Sequence, residues 1–384
     1  MTSPAIPRMR ILLLCTGLKT GGAEQQVAGL TQAFVRDGHD VAIVSLTPGC
    51  EVTLPASATV VHLNMRKTVT SMVRALRQLN RFVRQWQPQV IHAHMVHANL
   101  LARILAAVTA APPVICTAHS AREGGRLRML AYRLTDRWAA LNSHVSESAR
   151  QAMIEAGAVV PERIVVMPNG IDTDRFRPDP ALREATRKTL GVGSDNRLVV
   201  NVGRLVPEKA QLRLIQAFAG MVQASGHVDT RLLIAGEGAM RGELETAIRQ
   251  HDAVGSITLA GNRRDIPALL NAADLFVLSS DVEGMPLAVG EALACGCPVV
   301  ATDAAGVAEL LGDAGTIVPR GNGGALAKAM SDVLARGLGT DTDQTRRRQR
   351  VLAHCSLDAI ARRWLACYAT VANAHGEVAC EEPT

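Results

Sequence analysis

Aromatic residues are scarce in this sequence. Its 384 residues hold 3 Trp, 2 Tyr and 5 Phe, too few to build the stacking platforms on which single-strand nucleic-acid binders lay bases, so no nucleic-acid partner is expected. Long apolar runs are missing too. The opening run ILLLC is far short of the roughly 18–20 residues that cross a bilayer, and it leads straight into a helix pattern, so it reads as a first buried strand and not as a signal peptide. The eight cysteines show no C-x-x-C pair and no zinc spacing, and Cys15, Cys116 and Cys367 lie in apolar runs where a free thiol behaves as a small hydrophobe. That usage suits a reducing cytoplasm. Paired Asp residues of the kind that hold a divalent ion are also absent, so no metal is expected.

What is present is an apolar, glycine-rich globular composition: 48% hydrophobic residues, 32 Gly and 17 Pro. A chain this long exceeds one ordinary core, and about 100–200 residues per domain gives two domains. The net charge of +6 is unevenly spread. Residues 1–180 carry 20 Lys+Arg against 12 Asp+Glu, and the remainder 21 against 23. An excess confined to the first half, without aromatics, points to an anionic membrane surface or a lipid phosphate.

Short apolar strands alternate with amphipathic helices through both halves, which predicts α/β architecture with parallel sheets covered on both faces. The expected division is an N-terminal Rossmann-like domain over 1–180, a C-terminal one over 181–355, a helix over 356–374 returning to the first domain, and a disordered tail over 375–384. The Pro- and charge-rich stretch 176–195 reads as linker. Beyond the similarity of the two halves there is no internal repeat.

In open parallel sheets ligands sit beyond the carboxyl ends of the strands, and four such loops carry candidate residues. Gly21 and Gly22, at a helix start, would let a phosphate approach bare N–H groups; the spacing is not G-x-G-x-x-G and no acid ends the second strand, which argues against a nicotinamide cofactor. In VGRLVPEKAQ, Arg204 and Lys209 can point at one anion, the first as a planar fork and the second as a point charge; a solvated basic pair would look the same. In EGMPLAVGE, Pro286 suits a first helical position. Eight helical residues would then part Glu283 from Glu291 by about 12 Å, too far to share a proton. Each carboxylate would accept from hydroxyls, because it would repel a phosphate. These loops together suit a ligand anionic in its middle and rich in hydroxyls at its ends. His119 closes the strand of CTAHS, where it could touch a transferred group or be structural; His92 and His94, in VIHAH, read as structural.

In order along nearly the whole chain, GGAEQQV, IHAH, TAHS, VSESAR, MPNGID, VGRLVPEK, LLIAGEG, the E-x(7)-E of EGMPLAVGEALACGCPVVAT, GVAEL and GTIVP resemble the retaining glycosyltransferases of family 4. The resemblance implies the GT-B fold of two facing Rossmann-like domains and a hexosyltransferase that needs no metal or other cofactor. Its donor substrate would be a nucleotide diphosphate sugar, with uridine favoured over guanosine. By match of motif, Glu291 would bind ribose hydroxyls, Glu283 the donor sugar, and Arg204 and Lys209 the diphosphate. Gly22 and the turn Gly284, Met285, Pro286, Leu287 would assist at the phosphate. His119 would line the reacting face, and Gly261, Asn262 and Arg263 would lie where the base is held. The family usually has Gly after the lysine. Here Ala210 stands, and its good helix propensity makes the change a minor one.

The segment RKTVTSMVRALRQLNRFVRQW sets Met72, Val73, Leu76, Leu79, Val83 and Trp86 at helical spacing among six cations and no acid, the pattern of a membrane-surface helix or of a solvated face. AREGGRLRMLAYRLTDRW adds Arg122, Arg126, Arg128, Arg133 and Arg137 near His119. The expected acceptor is therefore a saccharide on a polyprenyl diphosphate, met by a cytoplasmic protein at the inner face of a bacterial membrane during surface polysaccharide or glycolipid assembly. A sugar-nucleotide 2-epimerase of the same architecture and a non-catalytic nucleotide-sugar binder are the alternatives.

Overall fold

The structure is a computed structural model that describes residues 7–121, 123–225, 229–253 and 255–379. Arg122, part of the second basic segment, lies outside these residues. The chain divides into two units, one built from the residues up to 170 and from 357 onward, the other from 171–356.

In the first unit the elements run β1 (Arg10–Cys15), α1 (Gly22–Arg36), β2 (Asp40–Ser45), β3 (Thr59–His62), α2 (Val69–Trp86), β4 (Val90–His94), α3 (Val96–Val108), β5 (Val114–Ala118), α4 (Arg126–Thr135), β6 (Leu141–His144), α5 (Glu147–Glu155) and β7 (Ile164–Val166). Its strands pair in parallel in the order β3-β2-β1-β4-β5-β6-β7. Every residue of ILLLC is fully buried, because β1 is central and helices cover both faces, which is why its apolar residues run on without alternating. The second unit runs α6 (Pro180–Thr189), β8 (Arg197–Val202), α7 (Gln211–Ser225), β9 (Thr230–Ala235), α8 (Arg241–Gln250), β10 (Ile257–Gly261), α9 (Ile266–Ala272), β11 (Leu275–Leu278), α10 (Leu287–Ala294), β12 (Val299–Thr302), α11 (Val307–Leu311), β13 (Thr316–Val318), α12 (Gly323–Arg336) and α13 (Asp341–His354). Its strand order is β10-β9-β8-β11-β12-β13, again parallel. Both sheets reverse direction beside their first strand, at β1/β4 and at β8/β11, and each reversal opens a crevice at the carboxyl edge.

The last helix, α14 (Leu357–Ala379), belongs to the first unit. Trp364, Leu365 and Tyr368 bury against Phe34 of α1, and Arg36 pairs with Asp358 at 2.7 Å. Gly170 makes this return possible: a Cβ there would lie 2.8 Å from the Leu357 Cα, and its N–H donates to the Gln26 side chain at 2.9 Å. The helix continues through 375–379, within the stretch expected to be disordered; residues 380–384 lie outside the described residues.

The stretch read as linker is instead a packed part of the second unit. Asp179 caps α6 by accepting from the Leu182 N–H at 2.9 Å, with Pro180 in the first turn. Arg183 and Arg187 of α6 then reach the buried Asp274 ahead of β11 at 2.5 and 2.9 Å. No helix among the described residues is long and apolar enough to cross a membrane.

Candidate functional site

In the second unit the loops leaving β8 and β11, on either side of the strand-order reversal, are tied together. Ser279 Oγ donates to the Lys209 carbonyl at 2.8 Å, the Asp281 N–H donates to the Glu208 carbonyl at 2.8 Å, and Arg213 holds Asp281 through two hydrogen bonds of 2.7 and 3.0 Å. Between these ties the Lys209 ammonium reaches Glu283 Oε1 at 2.5 Å. Lys209 and Glu283, expected at different parts of a ligand, thus pair with each other here. Arg204 is exposed, and its guanidinium makes no hydrogen bond or ion pair among the described residues.

Two glycines fix that loop. Gly203 and Leu205 interlock with the next strand's loop through Gly203 N–H to the Ala235 carbonyl (3.0 Å) and Leu205 N–H to the Glu237 carbonyl (2.9 Å). A Cβ on Gly236 or on Gly238 would overlap the Gly203 or the Leu205 carbonyl oxygen. The motif LLIAGEG is therefore the backing on which the Arg204 loop rests. Lys209 ends a short 3-10 turn, Pro207–Lys209, and Ala210 follows at φ 48° and ψ 36°. The expectation that Ala210 is a mild, helix-favouring change is corrected. It sits in the left-handed region, which suits Gly and costs another residue about 1 kcal/mol or more, so its helix propensity has no bearing.

Glu283 lies in the loop before α10, buried to 8% exposure. Pro286 caps α10 in an extended conformation, so Leu287, and not Pro286, is the first helical residue. Glu291 follows in the second turn, partly exposed, and no described residue hydrogen-bonds its carboxylate. Burial pushes that carboxyl up to about 7; Arg175 opposes the rise and Asp172 adds to it. Met285 is buried beside these groups. Leu287 opens α10, where helix geometry leaves the first N–H donors without intrahelical partners, and Gly284 and Met285 lie in the loop ahead of the Pro286 cap.

At the edge of the same sheet, Gly261 ends β10 at φ 66°, its carbonyl accepting from the Gly236 N–H at 2.8 Å. Asn262 beside it is exposed. Arg263 is engaged by Asp265 through two bonds of 2.8 and 2.5 Å.

In the first unit, Gly21 caps α1 in an extended conformation and Gly22 opens the helix. The Glu24 carboxylate folds back over Gly21 into the space a Cβ would need. This acid occupies the helix start expected to receive a phosphate.

His119 follows β5. Its Nε2 bonds His94 Nδ1 at 3.0 Å. Burial lowers its pKa to about 3, with His144 acting in the same direction and the Asn169 amide opposing. His119 is therefore a neutral imidazole. Glu123, buried, accepts from the His119 and Ser120 N–H groups at 3.1 and 3.0 Å, and burial raises its own carboxyl. Sequence reading assigned His94 to structure and passed over Glu123, yet both fix the His119 loop. His92 is held by structural partners, Tyr368 and Thr117, each at 2.6 Å.

Two family models match the chain: Glycosyltransferase Family 4 over residues 20–175 and Glycosyl transferases group 1 over 196–336. The chain belongs to glycosyltransferase family 4. Among curated relatives of this family member, the UDP-Gal:alpha-D-GlcNAc-diphosphoundecaprenol alpha-1,3-galactosyltransferase of Escherichia coli is 28% identical over 60% of this chain and 62% of its own length. The putative teichuronic acid biosynthesis glycosyltransferase TuaC of Bacillus subtilis is 30% identical over 64% and 60%. The chain thus spans about three-fifths of each. Among solved structures, HepE of Anabaena in complex with UDP and glucose matches 94% of this chain and 100% of its own at a TM-score of 0.80 and 21% identity. Sucrose-phosphate synthase of Thermosynechococcus elongatus matches 96% and 100% at 0.84 and 20%. At such identities the likeness is one of fold, the GT-B fold.

Proposed function

We propose that the protein is a retaining glycosyltransferase that moves a hexose or N-acetylhexosamine from a UDP-sugar to a saccharide carried on a polyprenyl diphosphate, in bacterial surface polysaccharide or glycolipid assembly. The observation that carries this reading is the tying of the β8 and β11 loops, which gathers two cations and two carboxylates, one of them paired with a cation and the other not, at one strand-order reversal. Glu291, with no partner on its carboxylate, is suited to ribose hydroxyls. Arg204 and Lys209 suit the diphosphate, assisted by the N–H groups at the start of α10. When a diphosphate draws Lys209 away, Glu283 is released to accept from sugar hydroxyls. Gly261, Asn262 and Arg263 are assigned to the base.

In the reaction the bond from the anomeric carbon to the diphosphate oxygen breaks, and its electron pair leaves with the diphosphate. The cations stabilise the charge that develops there. The acceptor hydroxyl oxygen bonds the anomeric carbon on the face the diphosphate leaves, which retains configuration, and its proton passes to a departing phosphate oxygen. No protein nucleophile is needed. His119 is a neutral imidazole, so the part proposed for it in the transfer is that of a hydrogen-bonding group and not of a charge. The lipid-linked acceptor is supported by the acceptor in the Escherichia coli relative's name, and UDP by that name and by the HepE complex. The arginines of α2 support work at the inner face of the cytoplasmic membrane.

The test is nucleoside diphosphate release from a panel of UDP- and GDP-sugars, with and without undecaprenyl-diphosphate-linked N-acetylglucosamine, and the product's anomeric configuration read by NMR. Release from one UDP-sugar that rises with acceptor and gives a retained product is expected. A new sugar-nucleotide epimer without acceptor would make the protein an isomerase, and binding without turnover would make it a binder.

A further inference from the structure

We propose that the outer face of α4, together with the first turns of α2, is an insertion surface for an anionic lipid bilayer; this rests on the reading that the acceptor is lipid-linked. Helix α4 is held to its unit by few buried residues, Tyr132 and Thr135. Its leucines point the other way. Leu127, Leu130 and Leu134, spaced to share one helical face, are 83%, 48% and 64% exposed. At the start of α2, Val69, Met72 and Val73 are 76%, 43% and 43% exposed. These are six of the ten large exposed apolar side chains among the described residues, a concentration on two helices that differs from the single scattered residues normal for a surface.

The two rows lie on one side of the first sheet. Helices α2, α3 and α4 follow β3, β4 and β5, and α3 packs between the other two: α2 and α3 share one apolar core, and Tyr132 of α4 packs on Val96 of α3. At the start of α3, His97 is close enough to both Arg128 and Lys67 for each to depress its proton affinity, after burial. The starts of all three helices therefore meet at the carboxyl edge of the sheet, the edge where β5 delivers His119. A lipid-linked acceptor held at that edge would have its lipid beside the leucines.

Charge decides the occupant. Helix α4 carries Arg126, Arg128 and Arg133 and no acid, and Arg74, Arg77 and Arg81 line a shallow groove along α2. A second copy of the chain would bring two cationic faces together, whereas an anionic bilayer neutralises the arginines and takes up the leucines.

The experiment is sedimentation of the full chain with vesicles of phosphatidylglycerol and phosphatidylcholine in equal parts, against phosphatidylcholine alone. The comparison is with the combined Leu127→Ser, Leu130→Ser, Leu134→Ser variant, and UDP titration of both proteins reports separately on the donor site. Wild type should bind the anionic vesicles, and the variant should bind on the order of 100-fold more weakly, about tenfold for each leucine leaving water less an allowance for partial insertion. Equal vesicle binding by both proteins would overturn the proposal. So would a wild type that ignores vesicles but forms a dimer the variant lacks, which would make the stripe a self-interface. If vesicle binding follows the leucines while no nucleotide sugar is bound, the docking surface stands and the transferase reading fails.

Discussion

Replacing Glu291 with glutamine should stabilise the protein at pH 8 while weakening its donor site. Burial raises this carboxyl from an ordinary 4.5 to about 7, so the fold favours its neutral form and is strained when the group ionises. A rise of this size corresponds to a ceiling of about 3 kcal/mol. Glu291 is partly exposed, and solvent screening lowers the expectation to about 1–2 kcal/mol. The sign follows from proton binding. Between pH 4.5 and 7 the unfolded chain has lost a proton that the folded chain keeps, so stability falls as pH rises through this window. The loss is complete above pH 7 and absent below 4.5. Glutamine has nearly the same shape and cannot ionise. Thermal unfolding followed by circular dichroism at pH 8 should show a midpoint raised by roughly 3–6 °C for a unit of this size, and the gain should vanish near pH 4. A variant no more stable than wild type at pH 8, or one whose gain persists at pH 4, would refute the argument that desolvation of Glu291 strains the fold.

Asp274→Ala leaves Arg183 and Arg187 without their shared carboxylate in a buried setting and also strips the Leu198 N–H of its acceptor; urea unfolding should show a loss of about 3–5 kcal/mol. At the left-handed Ala210, Ala210→Gly should gain about 0.5 kcal/mol, the relief of strain less the added freedom of the unfolded chain. Ala210→Val should lose more than 1 kcal/mol by the same assay, because a β-branched residue fits that conformation worst.

Much of the fold was legible because both sheets are parallel and buried on two faces, so their strands stand out as short apolar runs such as ILLLC and LFVL. The candidate loops were legible for the same reason, since strand order sends ligands to the carboxyl ends. The failures have physical causes. Strand β3 is an edge strand with partly exposed residues, and carries little apolar signal. Helix α4 keeps its leucines outside, so its cations drew attention and its periodicity did not. The stretch of α6 carried a readable start in Asp179 and Pro180, but what holds it is Asp274, some ninety residues on. The pairing of Lys209 with Glu283 spans 74 residues, and no spacing rule reaches that far. The bond from His94 to His119 depends on the register that sets His94 beside Thr117. Ala210 failed for another reason: its left-handed backbone belongs to the junction between the Pro207–Lys209 turn and α7, and alanine carries no mark of it.

The central claim is that the second unit grips a uridine diphosphate sugar through the Glu291 carboxylate, and the most direct measurement is calorimetric titration of UDP into wild type and Glu291→Ala at pH 8, where the carboxylate is ionised. A lost charged hydrogen bond of about 1.5–3 kcal/mol predicts a roughly 10- to 150-fold weaker Kd for the variant. Equal affinities for the two proteins, or no binding by either, would contradict the account.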